Sequence, residues 1–262
     1  MSFPNIIYGD FGDEKVTSST RIGNLPLGAK MVLPDGSEYA HAKASATALV
    51  AGNLYQSNTM TVVAGSADTG MTNNLVLVSD VAASARSLTV TLAGTAGLSK
   101  NLLKDGYIWV NDVTGEGERY RIKSHLAAAQ GANVTITLED NDYVRTALVA
   151  GTTQLGMRHN EFDNVTITTA NTVKTGHLAG WATVPVTASY YCWLLRRGVV
   201  SALAQGTLVH GEQVIASQTT GGAVGPQATG TIAVQKERHT IGEVMAVPAA
   251  STEYGLIKAS LP

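Results

Sequence analysis

The chain has 262 residues, long enough for folding to remove roughly 70–75% of its surface from water, and 18 Lys and Arg stand against 20 Asp and Glu, a formal net charge of −2. That balance excludes the basic footprint on which nucleic-acid binding depends, and a single cysteine, Cys192, excludes a disulfide framework or a cysteine-only metal cage. No run of 18 or more apolar residues suggests a membrane span, and acidic Asp10, Asp13 and Glu14 occupy a stretch where a signal peptide would be basic and then apolar.

Residues 1–30 scatter apolar side chains among Gly, Pro, Asn, Ser and Thr without a helical or two-residue period, which predicts an extended arm. Phe3, Ile6, Ile7, Tyr8 and Phe11 are too apolar for a purely solvated tail. They either lie back on the chain's own core or dock on a neighbouring subunit. From Met31–Leu33 the pattern turns strand-like, and Pro34-Asp35-Gly36 presets a turn because proline fixes φ and glycine admits positive values. A second strand through Glu38, Tyr39, His41 and Lys43 completes a hairpin, and 42–50 reads as strand and turn.

Short β-type runs follow at Met60–Val63, Leu75–Val78 and Leu88–Leu92, the last alternating apolar residues with threonine. Tyr107–Asn111 and Arg119–Lys123, joined by a connector holding Gly115 and Gly117, form the clearest hairpin signal. Asn133–Leu138 alternates and its near twin Asn164–Thr168 recurs about thirty residues later, two copies that generic strand chemistry explains. Asp142–Val149 is the one helix candidate in the middle of the chain. Beyond Gly151, strands are expected at Trp181–Val186, Tyr190–Leu195, Thr207–Val209, Gln213–Ser217, Gly230–Val234, His239–Val247 and Glu253–Ile257, with a flexible loop at Thr219–Pro226. Many short strands with frequent turn signals mean an all-β protein, its antiparallel strands arranged in sandwich or barrel-like domains behind an extended N-terminal arm. The expected division is an arm at 1–30, a β-rich domain at 31–150 and a second at 151–262.

Chemistry is hard to find. Phosphate and dinucleotide loops, a G-x-S-x-G elbow, an H-E-x-x-H pair and a C-x-x-C site are all missing from the sequence. His159, Glu161 and Asp163 would share one side of an extended strand, a spacing that suits a divalent metal but equally a polar strand face. Glu139, Asp140 and Asp142 lack the glycine and glutamate of an EF-hand loop and read as a solvated acidic turn. His239 and Glu243 stand four apart in a β-type pattern, and the remaining histidines are dispersed. Trp109, Trp181 and Trp193 fall in predicted strands, where tryptophan is usually core or interface and less often a sugar-stacking platform. No catalytic, cofactor-binding or metal residue is assigned and no cofactor is expected.

Several motifs together resemble virion proteins found beside the major capsid protein in tailed phages. They are Tyr8-Gly9-Asp10 in the arm, the Pro34-Asp35-Gly36 turn with Tyr39, and Gly106–Asp112 followed by Gly115-Glu116-Gly117-Glu118 and Tyr120. Tyr190-Tyr191-Cys192-Trp193 running to Gly198, and Thr240–Glu243, complete the set. The likeness spans nearly the whole chain in strand and turn motifs. It implies a non-enzymatic decoration or cement protein on the outer surface of a capsid, commonly a homotrimer, with the arm reaching onto the major capsid protein. On that reading Ile7, Tyr8, Phe11 and Arg21 are the candidate capsid contacts, with neither nucleic acid nor membrane as partner. A tail, head-fibre or adhesin component binding host glycans is the alternative; a major shell protein or an enzyme has less behind it.

Overall fold

The computed structural model describes residues 6–58, 74–92, 97–170, 175–227 and 239–261. These are all-β. Strands β1 to β17, numbered along the chain, and two short 3-10 helices (Asp13–Lys15 and Ile22–Asn24) are the regular elements among them. The chain divides into two compact units, one of Met1–Thr59 with Glu161–Pro262 and one of Met60–Asn160.

The first unit holds an 11-stranded sheet. Its main path runs β1 (Ile6–Tyr8), β2 (Lys30–Val32), β3 (Glu38–Lys43), β13 (Tyr191–Leu203), β17 (Tyr254–Ser260), β16 (Gly242–Ala246), β14 (Gln213–Ala216) and β15 (Val224–Pro226). Beside that path β12 (Leu178–Ala182) pairs with both β13 and β4 (Leu54–Gln56), and β4 pairs with β11 (Thr166–Ile167). Only the β1–β2 pair is parallel among these ladders.

The 13-residue β13 is the spine of this unit. Its first half pairs with β3 and its second half with β17, the two registers meeting at Arg197. Because successive side chains leave a strand on opposite faces, the buried run Cys192–Leu195 feeds two cores. Trp193 and Leu195 join one with Tyr39 and Trp181, while Cys192 and Leu194 join the other with Ala40, Ala42 and Tyr55. Burial pushes the Cys192 thiol up to about 12, so this cysteine acts as a small packing group. β17 is covered on one face only and alternates: Gly255, Ile257 and Ala259 point in, Leu256 and Lys258 out.

The second unit is a closed six-stranded barrel in the order β10 (Gln154–Arg158), β5 (Leu75–Leu77), β6 (Ser87–Thr91), β9 (Asn133–Leu138), β8 (Arg119–His125), β7 (Tyr107–Asp112), then back to β10. Closure leaves one inward face, so strict alternation survives. Leu88, Val90, Ile108, Val110, Tyr120, Ile122, Val134 and Ile136 fill the interior.

Several expectations change. The break expected near residue 150 falls inside the barrel, because β10 after the Gly151 turn closes it by pairing with both β5 and β7. Asp142–Val149 is not a helix. Val144 and Leu148 bury themselves in the barrel core while the backbone bonds in extended form to the segment 81–85. The loop expected at Thr219–Pro226 ends in β15, whose Pro226 sits on a terminal strand of the sheet path, where a missing N–H is tolerated. Thr207–Val209 forms no strand, although Leu208 is buried. The runs expected at Met60–Val63 and Gly230–Val234 lie outside the described residues.

Candidate functional site

The arm is not a free tail from Ile6 onward. β1 pairs in parallel with β2 in the register Ile6–Lys30, Ile7–Met31, Tyr8–Val32, and the Gly9 N–H donates to the Val32 carbonyl at 3.0 Å. This register decides which apolar residues are covered. Ile7 packs against the core that contains Met31. Tyr8, one residue on, points away and is 82% exposed, and Phe11 is 69% exposed. Ile7 therefore turns to its own core, while Tyr8 and Phe11 face outward.

Phe11 stands on a fixed turn. Asp13 Oδ2 accepts the Asp10 N–H at 2.9 Å, Glu14 Oε2 accepts the Gly12 N–H at 2.6 Å, and the Asp13 N–H returns to the Asp10 carbonyl at 3.1 Å. Gly12 takes φ +112°, which leaves the turn little room for another residue type. The acidic residues here act as local braces for backbone donors, the usual work of such side chains in turns. Arg21 faces inward: its guanidinium donates to the Leu25 carbonyl at 3.2 Å and its Cζ lies 5.8 Å from the centre of the Tyr191 ring. Lys43 approaches the same ring at 5.6 Å, and His41 stacks on it at 5.6 Å. Of the four sequence candidates, Tyr8 and Phe11 are presented, Ile7 anchors and Arg21 clamps.

The other candidates resolve locally. His159 and Asp163 are buried, Glu161 is exposed, and His159 Nδ1 lies 2.8 Å from the Asn160 carbonyl. Among the described residues no group of three His, Cys, Asp or Glu is gathered to hold a metal ion. Asp142 accepts the backbone N–H groups of Arg121 and Tyr143, and Asp140 pairs with Lys123 and offers its carbonyl to Arg86. That acidic turn thus ties barrel strands to their connection. Trp181 and Trp193 are buried and Trp109 is half-buried, so the first two offer no stacking platform to a sugar.

One feature of the first unit had no signal in the sequence. A cleft of about 570 Å³ opens over Val199 of β13, with Glu14 from the first 3-10 helix, Tyr39 of β3, Gly52, Thr183 and Tyr254 of β17 around it. Its members are spread over some 240 positions of the chain; the β3–β13–β17 ladders bring Tyr39, Val199 and Tyr254 into one sheet, and Glu14, Gly52 and Thr183 join them from outside those ladders.

Set against known proteins, the chain matches no family model, no curated protein and no solved structure.

Proposed function

We propose that this chain is a non-enzymatic structural protein that binds the outer surface of a tailed-phage capsid and bridges neighbouring shell subunits as a homotrimer. The placement on a phage particle rests on the motif likeness at Tyr8–Asp10, Pro34–Gly36, Gly106–Glu118 and Tyr190–Gly198. The grip rests on one observation: two large aromatic side chains, Tyr8 and Phe11, stand out from a braced arm at the edge of the sheet. Aromatic side chains carry much of the binding energy in protein interfaces. A turn already held by its own hydrogen bonds loses little entropy on docking. Repetition over a shell then multiplies modest individual contacts.

The test is reconstitution. Purified protein added to shells stripped of it should bind in multiples of three and raise the temperature at which particles burst. The double variant Tyr8→Ser/Phe11→Ser should fold and fail to coat. Full coating by that variant, or shells equally robust without the protein, overturns the reading.

A further inference from the structure

The cleft over Val199 is chemically lopsided. Among the described residues its one charged lining group is the Glu14 carboxylate, whose side chain is only 9% exposed. Lys15 Nζ lies 3.9 Å from Glu14 Oε1, and its side chain is 64% exposed, so water screens that pair. A carboxylate withdrawn from water needs charge compensation and several donors, and the Gly12 N–H supplies one. Thr183 Oγ1, in the same lining, is buried with no hydrogen-bond partner among the described residues, and Tyr39 and Tyr254 bring two phenol groups to the cleft. Burial, reinforced by the charges of Glu14 and Asp35, holds the Tyr39 phenol far above its ordinary range, so it stays neutral.

We propose that this cleft is a receptor for a guanidinium group, carried by an arginine side chain of a partner or by a free guanidinium compound, with Glu14 as its counter-ion. Guanidinium offers five N–H donors and no acceptor, the complement of a cleft that holds a carboxylate, the partnerless Thr183 hydroxyl oxygen and two phenol groups. It is planar, weakly hydrated and stacks on aromatic faces, and two tyrosines, Tyr39 and Tyr254, line the cleft. The half-exposed Tyr254 ring packs closely against Gly52: a Cβ on Gly52 would fall 2.4 Å from Tyr254 Cε1. Val199 supplies an apolar wall for the aliphatic stem. A neutral polyol reaches the same oxygens but leaves the Glu14 charge without a partner. The inference stands apart from the capsid reading, because its test involves no shell.

The test is a titration of full-length protein carrying labelled tyrosine rings, read by NMR, with three probes: agmatine, the peptide acetyl-Gly-Arg-Gly-amide, and its citrulline counterpart. Agmatine and the arginine peptide should give saturable shifts of the Tyr39 and Tyr254 signals, with the citrulline peptide at least tenfold weaker. Agmatine binding at least tenfold tighter than the peptide identifies a free compound as the ligand; comparable or tighter peptide binding identifies a protein side chain. Glu14→Gln should weaken both at least tenfold. Should that variant misfold, Thr183→Val, close in shape, keeps the question open to measurement with an expected loss of at least threefold. Equal binding of arginine and citrulline peptides, undiminished binding by a folded Glu14→Gln, or displacement of the arginine peptide by sucrose overturns the proposal.

Discussion

His125 shows how little of a residue's task can be read from its type. Its Nε2 accepts the Leu103 N–H at 3.0 Å and its Nδ1 faces the Leu126 carbonyl at 2.8 Å, an arrangement that requires the neutral ring with its proton on Nδ1. Burial lowers its pKa from the ordinary 6.5, outweighing the opposing pull of the Leu126 carbonyl. The sign follows from linkage: below 6.5 the unfolded chain takes up a proton that the folded barrel resists, so stability is full above that value and falls with pH through the folded pKa. We expect the midpoint of urea unfolding, followed by a barrel-specific probe such as Trp109 fluorescence, to drop between pH 7.5 and 5.5. His125→Gln should be less stable throughout and should lose that part of the slope. Glu118 adds a second loss at lower pH. Burial pushes its pKa up, but hydrogen bonds from Thr146 and Tyr120 outweigh it and hold the carboxyl below its usual range, so stability is lost as pH falls through that lowered value. Sequence marked His125 only as dispersed, since the amide it serves lies 22 residues away. It likewise marked the arm as apolar without saying which side chains face out, because the β1–β2 register makes that choice.

At the scale of elements, legibility follows the number of covered faces. β6, β7, β8 and β9 were readable because the barrel covers one face and leaves the other polar, which writes a two-residue period into the chain. The sequence pattern predicts an end at Leu195, but β13 continues to Leu203. Its first half is buried on both faces, its second half changes partner, and Gly198 between them looks like a terminator. Gly198 instead allows a close crossing: it takes φ +126°, and a Cβ there would lie 2.4 Å from Ser37 Oγ. Gly198→Val should therefore cost on the order of 1–3 kcal/mol, measured as a fall in the urea midpoint of the sheet unit. Leu194→Ala, removing a fully buried side chain from the core beneath the same strand, should cost about 2–5 kcal/mol. A smaller loss for Leu194→Ala than for a surface control such as Val209→Ala would mean that β13 is not the spine described here.

On the scale of the whole molecule, contiguous domains were the wrong expectation for a chain that interrupts one unit with another. No local pattern marks the interruption, because the evidence for it is a pairing: Gln56 of β4 faces Thr166 of β11, with the entire barrel lying between them in sequence. The antiparallel pair makes the barrel an outsized hairpin connection, and long connections cost only slowly growing closure entropy. The fragment 60–160 has its own closed sheet and core, so expressed alone it should unfold cooperatively and show dispersed amide signals by NMR; a molten fragment would contradict this. Interruption also sets an order of events during synthesis. The last barrel strand ends at Arg158, before any of β11 to β17 has been made. With synthesis running at about 5–20 residues per second, the barrel is complete several seconds before β13 can give β3 its main partner. The ribosome therefore hands out the interior of the gene as the first finished object, while the N-terminal segment, Tyr8 and Phe11 included, waits for the C-terminus to give its sheet a spine.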